Sequence, residues 1–377
     1  MTAQERTQPD TETPFGSNAV RLTTPQWLVA LVLLAGLLIG IPATWKRVEP
    51  FEPGADYRTP YDLSNDYWQY NRYCEQAVRQ DKVLVVGDSA IWGEYVKPDQ
   101  TLSYCLNQRV GEERFANMGV NGIHPVALAG LIAYYGRAIT SRDVVLHYNP
   151  LWMSSKQHDL QAEKEFRFNH PKLVPQFLTR IPCYKDPYAQ RIGIVAERYF
   201  PFRAWANHVA IAYFENTDLA TWAIENPYAN PLSRITLELP QPKTEQRHTS
   251  APWYETGKDE VNFEWVDPAS SLQWRSFQEA VRTLRARQNN LFVIVGPFNE
   301  HMISNESRKA YQQVKDTIEA RLIEHEIPHY IAPALPSALY ADASHPLREG
   351  YASIARQLLE QDAFRGFLAS CTSAQNP

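Results

Sequence analysis

The 377-residue sequence contains no block of five or more Lys/Arg, and its net charge is −5, so nothing in it invites a polyanion such as nucleic acid. Cysteine is scarce. Cys74, Cys105, Cys183 and Cys371 are widely spaced without a C-x-x-C pair, which argues against a zinc or iron–sulfur centre. Internal repeats and low-complexity tracts are absent. With 44% hydrophobic and 21% charged residues, the composition excludes wholesale disorder and collagen-like repetition. What is plentiful is aromatic side chain and proline: ten Trp, twenty Tyr and 27 Pro suggest long ordered loops more than a helical bundle. The length suffices for one large domain or two modest ones.

Residues Trp27 to Trp45 form one uncharged apolar run. A helix needs about 20 residues to cross the hydrocarbon layer, and this run has that length. Its two end tryptophans suit the membrane interface, and Lys46-Arg47 mark the far boundary. A cleaved signal peptide normally has a basic start and a shorter apolar core of about 7–15 residues, so an uncleaved anchor is the better reading. Arg21 alone precedes the run closely while Lys46 and Arg47 follow it, which leans against export, but long domains translocate largely regardless of such counts. The expected layout is a cytoplasmic tail (1–25), a single-pass anchor (26–45) contacting the lipid bilayer through residues 27–45, a tether (46–75) packing onto the domain, and an exported domain (76–377). In that compartment the even cysteine count permits disulfides, with the pairing open.

In the exported part, Lys82 to Val86 is a continuous apolar run ending at Gly87, the pattern of a strand buried on both faces of a parallel sheet. Further strands are expected at Arg114–Met118, Asp143–Tyr148, Leu291–Val295 and His329–Ala332. Helices are expected at 99–110, 126–139, 269–288, 305–325 and 347–360. Five strand–helix alternations predict an α/β fold, a three-layer sandwich around a mainly parallel five-stranded sheet. The interval 150–268, rich in Pro, Asn and aromatics, breaks the rhythm after the third strand and is expected to cap the site.

Ligands of an open α/β sheet bind beyond the carboxyl ends of the strands. There the sequence places Gly87-Asp88-Ser89 after strand one, Gly119 and Gly122 after strand two, Asn149-Pro150 after strand three, and Asp342-Ala343-Ser344-His345 before the last helix. A serine hydroxyl becomes a nucleophile when an oriented base takes its proton. His345 can be that base, Asp342 can orient it, and Ser89 would be the nucleophile. The N–H groups of Ser89 and Gly119 and the amide of Asn149 are the expected oxyanion donors, one such donor being worth about 3–4 kcal/mol. Asp88 reads as a turn organiser, and His124 and His147 as structural residues.

These four blocks, G-D-S-x-x-x-G, a Gly after strand two, an Asn after strand three and D-x-x-H before the last helix, resemble the signature of the SGNH (GDSL-like) hydrolases. The resemblance spans residues about 80–125, 143–150 and 290–362 and implies the flavodoxin-like SGNH fold. It also implies catalytic Ser89, Asp342 and His345 and an oxyanion hole completed by Gly119 and Asn149. The chain departs from the family's usual G-x-N-D block, having His147-Tyr148-Asn149-Pro150.

An anchored member of this family is similar to proteins that add or remove acyl groups on cell-surface glycans. The implied activity is that of an esterase or O-acyltransferase facing the periplasm or exterior. Its implied substrate is an acylated carbohydrate, with acetyl as the expected acyl group; a membrane acyltransferase is an expected partner and no cofactor or metal is required. Asn299 and His301, after strand four, are candidate substrate contacts. Trp205, Tyr213, Phe214, Trp222, Tyr228, Trp253 and Tyr254 of the insertion are candidate sugar platforms, though such residues more often build core. The alternative is a catalytically retired SGNH scaffold that binds glycan or assists assembly.

Overall fold

A computed structural model describes residues 22–164, 168–177, 179–241, 248–249 and 251–373. Most of the expected tail lies outside them. In chain order the helices and strands are α1 (Thr24–Val48), α2 (Tyr67–Arg79), β1 (Val83–Gly87), α3 (Ser89–Trp92), α4 (Leu102–Val110), β2 (Phe115–Gly119), α5 (Pro125–Tyr134) and β3 (Asp143–Tyr148). The inserted helices α6 (Tyr188–Tyr199), α7 (Pro201–Tyr213) and α8 (Leu219–Glu225) come next. Then follow α9 (Leu272–Ala286), β4 (Asn290–Val295), α10 (Asn305–Glu324), β5 (His329–Ile331), α11 (Arg348–Glu360) and α12 (Asp362–Ser373).

The five strands form one all-parallel sheet in the order β2-β1-β3-β4-β5. Every residue of β1 is buried, as an apolar strand covered on both faces must be. One face carries α2, α5, α9 and α10 over a core containing Leu84, Val86, Leu146 and Val293. The other carries α4, α11 and α12 over Val83, Val85, Val145 and Phe292. Neighbouring residues of a strand thus feed opposite layers, the period-two geometry of a three-layer sandwich. The order reverses between β1 and β3, and that switch point is where ligands of such sheets are received.

Helix ends follow local chemistry. Ser271 caps α9 by accepting the Trp274 N–H at 2.9 Å, and Thr101 caps α4 by accepting that of Tyr104. The expected helix over 126–139 stops at Tyr134; beyond it the Arg287 guanidinium gathers the carbonyls of Ile132 and Gly136 at 3.0 and 2.9 Å. Helix α12 was not expected from the sequence; its Phe364 and Phe367 pack on Phe292. Cys74, Cys105 and Cys183 are free thiols, and the Cys371 side chain lies outside the described residues.

Helix α1 is long and apolar enough to cross a membrane and is exposed along almost all of its apolar stretch. The segment expected as a tether instead joins the sandwich, for α2 begins inside it and buries Tyr67, Trp68, Tyr70, Tyr73 and Cys74. Lys46 pairs with Glu75 at 2.8 Å, while Glu49, three residues on, pairs with Arg72. The end of α1 therefore runs antiparallel to α2. Because α2 ends at Arg79 and the chain enters β1 at Val83, α1 leaves the domain toward the amino-terminal edge of the sheet.

The insertion, expected as a cap, divides between two places. Trp205, Tyr213, Phe214 and Trp222 cluster against Trp45, with Trp45 and Trp205 ring centroids 5.4 Å apart. Tyr228 is fully exposed, Trp253 joins the core beside Tyr340, and Tyr254 packs on Trp253. The aromatics thus weld the insertion to α1 and the core because their large apolar surfaces are best buried there. The two ends of the insertion and the last turns of α7 reach the carboxyl edge of the sheet.

The weld contains a buried charge cluster. His208 lies between Asp66, 2.6 Å from Nδ1, and Glu49, 2.9 Å from Nε2, with both carboxylates inaccessible to water. Burial alone would disfavour its charge, but the two carboxylates raise its pKa to about 9. A folded-state pKa above the unfolded value gives stability that is complete below about 6.5 and is lost as pH rises through about 9. His208→Gln should cost about 3–5 kcal/mol at pH 7. Denaturation of the detergent-solubilised protein should show that deficit shrinking between pH 7 and pH 10; a deficit constant with pH would contradict the charged assignment.

Candidate active site

Ser89 opens α3 immediately beyond β1. Asp88 caps that turn, its Oδ1 accepting the Ala90 N–H at 3.0 Å, and Gly93 ends it with φ +91°, a conformation that favours glycine. Neighbouring elements hold the turn from outside. Arg58 donates to the carbonyls of Gly93 and Val96 at 2.7 and 2.8 Å and covers the Trp92 ring. Trp92 donates to Thr59 O at 2.7 Å, and Tyr351 to Ala90 O at 2.6 Å. Ser89 is left 9% exposed, fixed but reachable.

The loop before α11 delivers the partners. His345 Nε2 lies 2.8 Å from Ser89 Oγ, and its Nδ1 lies 2.8 Å from both carboxylate oxygens of Asp342. With Nδ1–H donating to Asp342, the neutral ring presents an Nε2 lone pair to the serine O–H. Asp342 also accepts the backbone N–H groups of Ser344 and His345 at 2.9 and 3.0 Å. Burial opposes ionisation of Asp342, but the His345 charge and these hydrogen bonds hold its pKa at about 2. Burial likewise opposes charge on His345. Asp342, aided by Asp88 and Glu94, outweighs it and moves the imidazole above its ordinary value. The three residues form one hydrogen-bonded relay.

The other expected residues divide. Asn149 accepts the Leu151 N–H at 3.0 Å through its oxygen and donates one amide hydrogen to Asp88 at 2.9 Å. A carboxamide carries two hydrogens, so the second remains for a ligand. The Gly119 N–H is already given to Asn117 Oδ1 at 3.0 Å. Glycine is needed at 119 for packing, because a Cβ there would overlap the Trp92 backbone nitrogen. Gly122 sits in a turn at φ +69°. Asn299, fully buried, donates to the Asp342 carbonyl at 3.1 Å, and its N–H to Ala343 O at 2.8 Å. It therefore positions the acid's loop, whereas the sequence reading made it a substrate contact. His301 is bonded to Leu335 O at 3.0 Å, outside the relay.

Sequence reasoning gave Asp88 a turn and missed its second task. Its Oδ2 accepts the Asn149 amide and the Trp152 indole N–H, each at 2.9 Å, while His147 lies 3.4 Å from Oδ1. Burial would raise the Asp88 pKa, but His147, the Trp152 hydrogen bond and His345 together keep it below the usual carboxylate range. Tyr95, also missed, sets its ring edge against His345 at 5.6 Å between centroids, and its φ of 68° is a backbone feature no pattern reveals. Among the described residues, no group of three or more His, Cys, Asp or Glu is arranged to hold a metal ion.

The chain matches no known protein-family model and no curated protein. Two substitutions test the geometry. Asp342→Asn should bring the His345 titration back toward or below 6.5, read from imidazole nitrogen NMR shifts. An unchanged titration would mean that the carboxylate does not govern the ring. Gly119→Ala should destabilise the protein by about 1–3 kcal/mol in denaturant melts, the cost of forcing a methyl group into a filled contact.

Proposed function

We propose that this chain is a membrane-anchored serine esterase or O-acyltransferase of SGNH type, acting on acyl, above all acetyl, esters of carbohydrate. The single observation that carries the reading is the Ser89–His345–Asp342 relay, assembled from residues 256 positions apart at the switch point of a parallel sheet. Ser89 Oγ attacks the ester carbonyl while His345 Nε2 takes its proton. The tetrahedral intermediate collapses, His345 returns the proton to the departing alcohol, and the acyl group stays on Ser89. Water or a sugar hydroxyl, deprotonated by the same imidazole, then removes the acyl group and regenerates serine. The Ser89 N–H and the second Asn149 amide hydrogen serve the oxyanion, and Gly119 joins them by releasing Asn117.

The anchor makes the protein single-pass, with the domain on the outer face of the membrane and a membrane acyltransferase as the natural acyl donor for transfer. A second reading, a retired scaffold that binds glycan, is favoured by one observation: the Gly119 N–H is occupied within the protein.

Full-length protein in detergent, assayed with p-nitrophenyl acetate beside Ser89→Ala, separates the two. The proposal expects a loss of about 10³-fold or more on substitution; equal rates would leave the scaffold. Because His345 must be neutral to accept the proton and its pKa is raised, the wild-type rate should climb with pH through an apparent value above 6.5. Offering an oligosaccharide acceptor decides between the two activities: acetylated sugar marks transfer, acetate alone marks hydrolysis.

A further inference from the structure

Beside the relay, at the same edge of the sheet, lies a polar cavity of about 700 Å³ whose walls include Tyr61, Asn65, Asn121, Asn169, Asn207 and Asn216. We infer that this cavity is the subsite for a neutral carbohydrate, the glycan portion of the substrate; the assignment of its ligand as substrate rests on the acyl-transfer reading above. Five carboxamides in one cavity are unusual furniture for a structural gap. An amide pairs a donor with an acceptor in one plane, the combination that a sugar hydroxyl, itself donor and acceptor, can satisfy; Asn207 has its oxygen on Lys172 and Asn121 its nitrogen on Glu94. Among the described residues, the side chains of Asn169 and Asn216 make no hydrogen bond within the protein. Tyr61 and Phe168 add aromatic surface to the same walls.

The charge balance selects a neutral ligand. Lys172, the cation of the cavity, is spent on Glu197 at 3.0 Å and on Asn207 at 2.6 Å. His170 uses both ring nitrogens, on Tyr67 and on the Asn121 carbonyl at 2.9 and 2.8 Å, and burial holds its pKa near 4, so it contributes no positive charge. Asp62 adds a carboxylate to the lining. An anion would find no unpaired cation among these residues.

The cavity also connects to the relay. Asn121 follows β2 by two residues and donates its amide to Glu94, whose own N–H bonds to the Ser89 carbonyl at 3.0 Å. A glycan seated on Asn121 is thus one hydrogen-bonded residue away from the helix that carries the serine.

The test uses full-length Ser89→Ala in detergent, so that no ester is consumed, and saturation-transfer NMR with cellotetraose, chitotetraose and maltotetraose, with tetragalacturonate as the anionic comparison. The expected result is binding of at least one neutral tetrasaccharide, weakened at least tenfold when Asn169→Leu and Asn216→Leu are combined. Both side chains are exposed, so the protein should keep its fold, and an unchanged melting temperature checks this. Absence of binding by all three neutral sugars, binding of tetragalacturonate alone, or equal binding by the double variant would each overturn the subsite. The p-nitrophenyl acetate comparison reads the other claim. Bound sugar with Ser89-independent turnover would sink the acyl-transfer chemistry and leave the subsite, and Ser89-dependent turnover without bound sugar would do the reverse.

Discussion

Parallel strands end together, and the rest of this molecule depends on that. In an antiparallel sheet, Ser89, Asn149 and the loop behind β4 would leave from alternating edges. Here β1, β3 and β4 lie side by side in one direction, so their exits fall in one row. Asp88 follows β1 and Asn149 follows β3, and they bond directly at 2.9 Å. Asn299 then ties the β4 exit to Asp342. The α11 loop needs only to lay His345 across this row to reach the serine. The geometry of the relay is a by-product of strand direction, tightened by these two hydrogen bonds between loops.

His208 and His345 both meet carboxylates, with opposite consequences. His208 is held at both nitrogens by Glu49 and Asp66, so both ring hydrogens are engaged and the positive charge stays put. Such a group is a rivet, joining the end of α1, α2 and α7. His345 has a carboxylate on one nitrogen only, and the other faces a hydroxyl. Its charge is favoured enough to form and remains free to leave. The difference between a structural and a transferable proton here is one carboxylate replaced by one serine.

The sheet was legible in the sequence because apolar runs such as Val83-Leu84-Val85-Val86 must be buried on both faces, and little else accommodates them. Ser89, Asp342 and His345 were legible because their spacing relative to those strands carries the geometry. Gly119 has a packing role that the sequence hides: a glycine demanded by close contact with Trp92 and one demanded by an exposed N–H look alike in a sequence. Asn299 was placed at the right rim, but whether an amide points at solvent or at the Asp342 carbonyl depends on a loop 43 residues further on. The insertion's aromatics carried no periodicity that distinguishes a sugar platform from a weld. Their partner, Trp45, lies in α1, where the sequence pattern had pointed to a membrane interface instead.

The direction of α1 bears on what the site can meet. Lys46 and Glu49 fix α1 along α2, and α2 leads into the amino-terminal edge of the sheet, so the relay opens at the edge facing away from where α1 departs. A lipase-like site would gain from the reverse arrangement, with its opening pressed to the bilayer. Under the proposed anchoring, α1, riveted to the domain through His208, would hold the opening out from the lipid surface. That geometry would suit the proposed substrate, a glycan that extends from the surface, better than one buried among acyl chains. The polar, amide-lined cavity lies at the same edge as the opening, whereas the longest exposed apolar stretch among the described residues is α1.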